Sequence, residues 1–105
     1  MKSIDEIRQQ LQAGNFEFTR HGLKRLVERN ISRSEIMETG ENAIIIEDYP
    51  DDKYSPSCLL LGLTINNRPL HLQVSRRESD ILTIITLYEP DPKEWINYCQ
   101  RRSEC

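Results

Sequence analysis

The chain has 105 residues, 30% of them charged and 37% apolar, with a mean hydropathy of −0.63 and a formal net charge of −3 at pH 7. That length suits a single domain spanning 1–105 with one modest core, and its short periodic apolar blocks argue against disorder. No apolar run approaches the roughly 20 residues that span a bilayer, and acids interrupt MKSIDEIRQQ where a secretory signal needs an apolar stretch, so no membrane partner and a cytoplasmic location are expected.

Ser3-Ile4-Asp5-Glu6 fits a capping box, Ile4, Ile7 and Leu11 share one helical face, and Gly14 is a stop signal. Phe16 and Phe18 alternate with polar residues in a short extended segment, after which Thr19 is a candidate N-cap for a second helix. At about 100° per residue, Leu23, Leu26 and Val27 cluster on one side of that helix while His21, Arg25 and Arg29 recur every four residues on the other. The apolar stripe is expected to face the core and the cationic stripe to face away. Ser32 and Glu35 form a second box, Ile31 and Ile36 a hydrophobic staple, and Gly40 closes this third helix.

From Ala43 the period changes. AIIIEDY, CLLLGLTI, LHLQVS and ILTIITLYE read as four strands, with Asn66-Asn67 at a hairpin tip. Asp91-Pro92-Lys93-Glu94 combines N-cap, first-turn proline and acid, predicting a C-terminal helix that carries Trp95, Ile96 and Cys99. Links this short cannot hold parallel crossovers, so the expected fold is α+β: N-terminal helices, a four-stranded antiparallel meander and a C-terminal helix. The cysteines, Cys58, Cys99 and Cys105, are widely spaced and odd in number, which suits reduced, structural thiols.

The net charge counts against a generic nucleic-acid binder. Its distribution is uneven, however: Arg20, Lys24, Arg25, Arg29 and Arg33 stand against the single acid Glu28, whereas the charged residues of 41–52 are all acids. Strand alternation separates Ile81, Thr83, Ile85 and Leu87 from Leu82, Ile84, Thr86 and Tyr88. If the first set packs with Leu70, Leu72 and Val74, then Thr86 and Tyr88 join His71 and Gln73 on a polar face. That face is either a pocket, with His71 and Tyr88 transferring protons and Gln73 donating a hydrogen bond, or an ordinary half-wet sheet surface. The cationic stripe is likewise either solvated or a phosphate comb.

Metal-free RNA cleavage needs a base for the 2′-hydroxyl, an acid for the leaving 5′-oxygen and cations for the phosphoryl charge, which histidine and arginine supply near neutral pH. Asp48, Asp51 and Asp52 read as solvated acids in a turn rather than a divalent-cation site. With no glycine-rich phosphate loop, H-E-x-x-H, G-x-S-x-G or zinc-knuckle pattern, neither metal nor cofactor is expected.

Four ordered blocks carry a resemblance: F-T-R-H-x-x-x-R-x-x-x-R-x-I from Phe18 to Ile31, YPDDKYSPSCLLLG from Tyr49, RPLH from Arg68 and ITLYEPDPKEW from Ile85. Together, over about residues 16 to 95, they resemble a family of small bacterial domains of unknown function. That family looks like a branch of the ribonuclease-toxin fold of RelE, MqsR, barnase, EndoU and colicin nucleases. Asn30 stands where the pattern usually has glycine. The resemblance implies a toxin of a toxin–antitoxin system, an mRNA-cleaving hydrolase, partnered by RNA and by a zinc-finger or helix-turn-helix antitoxin of the MqsA-like type. The recurring polar positions it implies are His21, Arg25, Arg29, His71 and Tyr88, with Trp95 and the YPDD segment architectural. The resulting expectation is that His21 and His71 exchange protons, Tyr88 orients or stabilises the scissile group, and Arg25, Arg29 and Gln73 hold RNA. The rival is a non-catalytic protein-binding module of the same fold.

Overall fold

The computed structural model describes residues 1–53 and 55–102, so the expectation for Cys105 lies outside the described residues. Helix α1 (Ile4–Ala13) starts at Ser3, whose Oγ accepts from the Glu6 amide, and ends at Gly14, whose φ of +73° is the left-handed stop that glycine adopts at no steric cost. Strand β1 (Phe16–Phe18) leads through the Thr19 cap into α2 (Arg20–Glu28). Helix α3 (Arg33–Thr39) carries the full Ser32–Glu35 capping box. Strands β2 (Ile44–Tyr49), β3 (Ser57–Leu63), β4 (Pro69–Ser75) and β5 (Leu82–Tyr88) then pair antiparallel in chain order. The core lies between this sheet and the helices, with Ile7, Leu11, Ile36, Leu60, Leu72, Ile84 and Leu87 fully buried. No helix among the described residues is long and apolar enough to cross a membrane.

Four expectations need correction. First, the sheet is not a four-stranded antiparallel meander but a mixed sheet of five strands in the order β1-β5-β4-β3-β2. β1 lies parallel to β5, with Phe16 opposite Leu82 and Phe18 opposite Ile84. A three-residue segment leaves a weak periodic signal, and its partner lies far along the chain, so chain-order reasoning about short links could not see the pairing.

Second, α2 is rotated from its expected seat. Leu23 and Val27 are 53% and 71% exposed, and Gly22 is the buried position. A Cβ on Gly22 would lie 2.8 Å from the Ile84 carbonyl oxygen and 3.1 Å from that of Ile85, so the helix backbone rests directly on β5. Thr19 ties the same junction: its amide donates to the Ile84 carbonyl at 3.1 Å and its hydroxyl to that of Ile85 at 2.8 Å. Close backbone approach, not the apolar stripe, sets this orientation, and only Leu26 of the three stripe residues packs against the core.

Third, the C-terminal segment is not a helix. Asp91 accepts from the Glu94 and Trp95 amides, forming one turn. The chain then makes a hairpin of β6 (Trp95–Ile96) and β7 (Gln100–Arg101), whose turn residues Asn97 and Tyr98 have φ of +51° and +63°. Two consecutive left-handed residues end any helix and give the twist that antiparallel strands need.

Fourth, β5 does not keep strict alternation. A bulge opposite Gln73 and Val74 leaves Thr86 facing Gln73 but Ile84 facing Val74, so Leu82, Ile84 and Leu87 share the core side. Beyond the bulge, His71 pairs with Tyr88 and Gln73 with Thr86.

Candidate functional site

The sheet face opposite the helices has two halves. At one end β4 and β5 place His71 directly opposite Tyr88, a register set by strand pairing and therefore firm. His71 is fully buried. Its Nε2 lies 2.5 Å from the Tyr98 carbonyl oxygen and its Nδ1 3.2 Å from the Tyr88 hydroxyl. A carbonyl only accepts, so Nε2 carries the proton, and the Nδ1 lone pair accepts from the Tyr88 hydroxyl. Burial pushes the His71 pKa below its ordinary value, against the opposing pull of the Tyr98 contact and the Glu47 charge. The imidazole is therefore neutral at neutral pH. Burial also raises the Tyr88 phenol.

The cover is the β6–β7 hairpin. The Trp95 ring meets His71 edge-on, with centroids 4.5 Å apart and planes at 88°, and the Arg101 guanidinium lies 4.7 Å above the Trp95 ring. Arg101 also forks onto the Glu47 carboxylate on β2, Nε to Oε2 at 2.8 Å and Nη2 to Oε1 at 3.1 Å. Tyr49 donates to the same carboxylate. Burial works against the Glu47 charge, but the hydrogen bonds from Arg101 and Tyr49 outweigh it and hold Glu47 below the usual carboxylate range. Burial and the bond to Glu47 push the Tyr49 phenol up to about 12.

At the other end the face opens into a groove of about 530 Å³ lined by Thr19, Asp52, Ser55, Gln73, Ser75, Arg77, Thr83 and Ile85. Gln73 Nε2 donates to Ser57 Oγ at 3.2 Å and to Asp52 Oδ2 at 3.4 Å, while Ser57 Oγ donates to Asp52 at 2.6 Å. Asp52 is thus not one of the solvated acids expected from YPDD but the acceptor that orients Gln73. Asp48 is held by Arg76 at 3.2 Å.

On α2, His21 is exposed and its Nε2 accepts from Arg25 Nε at 3.5 Å. Arg25 also reaches Glu28 at 3.1 Å, and Lys24 approaches the same carboxylate at 3.8 Å. Arg29 is the C-cap, exposed, with no side-chain partner among the described residues. Arg33 leaves the basic patch: its guanidinium lies 4.3 Å over the Phe16 ring and donates to the Gly14 carbonyl. The structure therefore joins His71 with Tyr88 and His21 with Arg25, and puts Gln73 in the open groove. Among the described residues no hydrogen bond, ion pair or ring contact links the α2 group to His71 or Tyr88.

Sequence reasoning missed two groups. Arg68 donates to the carbonyls of Arg29 and Asn30 at 3.1 Å each, to Glu35 at 3.0 Å and to Glu89 at 2.8 Å, clamping the α2–α3 turn to the sheet. Its place in RPLH, two residues from the start of LHLQVS, was the available signal. Tyr98 and Arg101 on the hairpin stand far along the chain from Glu47 on β2, and the three left none.

Comparison with curated proteins gives no match, and neither does comparison with solved structures. A family model described as Domain of unknown function (DUF4258) matches residues 18–89, taking in α2, α3 and β2 to β5 with His21, Arg25, Arg29, His71, Gln73 and Tyr88, and stopping short of the β6–β7 hairpin. That match covers well over half of the chain, which therefore belongs to the DUF4258 family.

Proposed function

We propose that this chain is the toxin of a bacterial toxin–antitoxin pair, a metal-free endoribonuclease on a RelE/MqsR-like fold, acting on mRNA in the cytoplasm and held in check by a zinc-finger or helix-turn-helix antitoxin. The observation that carries the reading is the His71–Tyr88 pair at 3.2 Å on the same polar sheet face as the open groove. His71, set by strand pairing, and the exposed His21 on α2 suit the exchange of protons, the one taking and the other giving. Arg25 and Arg29 suit the phosphoryl oxygens, Gln73 suits the nucleotide, and Tyr88 suits orienting or stabilising the scissile group.

The reaction balances with one base and one acid. The 2′-hydroxyl gives its proton to the base, its oxygen attacks the adjacent phosphorus, and the bond from phosphorus to the 5′-oxygen breaks as that oxygen takes a proton. The products are a 2′,3′-cyclic phosphate and a 5′-hydroxyl.

The test is incubation of pure, folded protein with single-stranded RNA of mixed sequence in EDTA, reading the ends. Cyclic ends are expected, with His21→Ala and His71→Ala each folded and slower by about 100-fold or more. Intact RNA, in naked and ribosome-bound form and also with Arg101→Ala, would end this reading.

The second reading, a non-catalytic protein-binding module, is favoured by one observation: Leu23 and Val27 stand exposed on α2 beside the cations. It expects overexpression to leave growth unaffected and Leu23→Ser with Val27→Ser to weaken binding to the neighbouring gene's product.

A further inference from the structure

We propose that the β6–β7 hairpin is an autoinhibitory strap that occupies the His71–Tyr88 pair and must lift before a nucleotide phosphate reaches it. This rests on the reading of that pair as the site.

The hairpin fills the position a ligand would need. The Tyr98 carbonyl takes the hydrogen bond from His71 Nε2 that a phosphate oxygen would otherwise take, and Trp95 closes the ring's approach from the same side. His71 lies two positions along β4 from Gln73, with both side chains on one face. Lifting the strap would therefore extend the open groove along the sheet to the histidine.

The strap is also built to come away. Its two strands pair only with each other and form a sheet separate from the main one. A lone two-stranded ribbon is marginal in water and depends on its docking contacts. Trp95 is buried, yet it stands outside the hydrophobic core cluster, so undocking it opens no hole among the helices. The main polar fastening is the Arg101–Glu47 fork, whose arginine is 63% exposed and within reach of competing anions. An RNA phosphate brought to Arg101 would exchange one anion for another and loosen the fastening as it arrives. Finally, the strap lies after the segment shared with the family, whereas the pair it covers lies inside it.

The test uses the full chain, uridine 3′-monophosphate as probe, and two readouts: Trp95 fluorescence, which reports the strap from the chain's single tryptophan, and the His71 ring signals by NMR. Wild type should bind the probe weakly, with His71 signals unmoved. Arg101→Ala combined with Glu47→Gln, which breaks the fork and leaves neither a freed cation nor a bare carboxylate beside His71, should red-shift Trp95 and tighten probe binding by about fivefold, the upper range for losing an exposed ion pair. Trp95→Ala should tighten it by about tenfold or more, with His71 signals shifting on titration.

If the Arg101→Ala, Glu47→Gln pair releases Trp95 while it and Trp95→Ala both bind the probe within about twofold of wild type, the strap does not block the site and the proposal falls. It falls also if wild-type His71 responds to the probe as fully as the variants do. Should Trp95→Ala fail to fold, the paired Arg101→Ala, Glu47→Gln variant decides alone. RNA cleavage by the opened variants is scored separately: tighter nucleotide binding without cleavage upholds the strap and removes the nuclease.

Discussion

The seat of α2 yields opposite expectations for neighbouring residues. A methyl group at Gly22 would sit 2.8 Å from one backbone carbonyl oxygen of β5 and 3.1 Å from the next, with the Thr19 hydroxyl at 3.3 Å. None of these is the free end of a flexible side chain, so the helix must back away from the strand. Overpacking costs about 1–3 kcal/mol, and about 2–3 where backbone atoms rather than a side-chain end must give, while the better helix propensity of alanine offsets about 1 kcal/mol. Gly22→Ala should therefore lose about 1–2 kcal/mol, a fall in Tm of roughly 5–10 °C for a domain of this length. Val27→Ala, at a position 71% exposed, should stay within about 0.5 kcal/mol of wild type, and Leu23→Ala, at 53%, should lose less than about 1 kcal/mol. Had the apolar stripe faced the core, Leu23→Ala would cost about 2–5 kcal/mol and Gly22→Ala would be stabilising. Urea and thermal unfolding of the three variants read the difference. A cost above about 2 kcal/mol at Leu23, or a Tm at or above wild type for Gly22→Ala, would refute the packing argument.

Arg68→Lys keeps the charge but loses the fork that spans two carbonyls and two carboxylates, and should cost about 2 kcal/mol in urea unfolding. Asn30 has φ of +53°, so Asn30→Gly should change stability by less than about 0.5 kcal/mol, whereas Asn30→Val should lose more than about 1 kcal/mol by the same assay. Acid sensitivity follows from His71, whose folded pKa is lowered from 6.5, chiefly by burial. The unfolded chain binds a proton there that the folded chain refuses, so this contribution is complete above 6.5 and is lost as pH falls through the lowered value. Unfolding free energy measured from pH 8 to pH 5 should decline, and His71→Phe should flatten the decline. Against the opposing effect of burial, Glu35 is held below 4.5 by the Ser32 amide and Arg68 and Glu47 by Arg101 and Tyr49, so the two should add a second loss at lower pH.

Helix starts were legible because capping is local: Ser3, Thr19 and Ser32 each accept from the amide three residues on. Four strands and the Asn67 turn were legible from alternation and turn chemistry, with Asn67 at φ of +63°. The β1–β5 pairing was not, because pairing partners of distant segments leave no mark in either segment alone. Nor was the orientation of α2, since hydrophobic periodicity measures side chains and Gly22 acts by having none. The C-terminal segment carried genuine helix-start chemistry in Asp91 and Glu94. It forms one turn and stops because Trp95 is better buried against His71 than continued into a helix on the surface. In the site, alternation brought His71, Gln73, Thr86 and Tyr88 to one face. The Tyr98 carbonyl and the Arg101–Glu47 fork are tertiary contacts of a kind no spacing encodes.

The structure also changes what the net charge of −3 means. Much of the acidic segment is already engaged: Glu47 by Arg101, Asp48 by Arg76, and Asp52 by Ser57 and Gln73. On α2 the balance runs the other way, since Glu28 is shared between Lys24 and Arg25 while Arg20 and Arg29 have no side-chain partner among the described residues. At ionic strengths near 0.1 M, charges separated by more than about 10 Å are largely screened, so an approaching anion responds to the local surface rather than to the sum over the chain. An acidic protein therefore retains a cationic helix beside the strand that carries Tyr88. The same logic bears on the strap: Arg101 neutralises Glu47 beside His71 only while docked, so lifting it would expose a carboxylate next to the very pair it uncovers. A variant that removes both partners of the fork therefore reads the strap alone, with neither a bare carboxylate nor a freed cation biasing a phosphate probe.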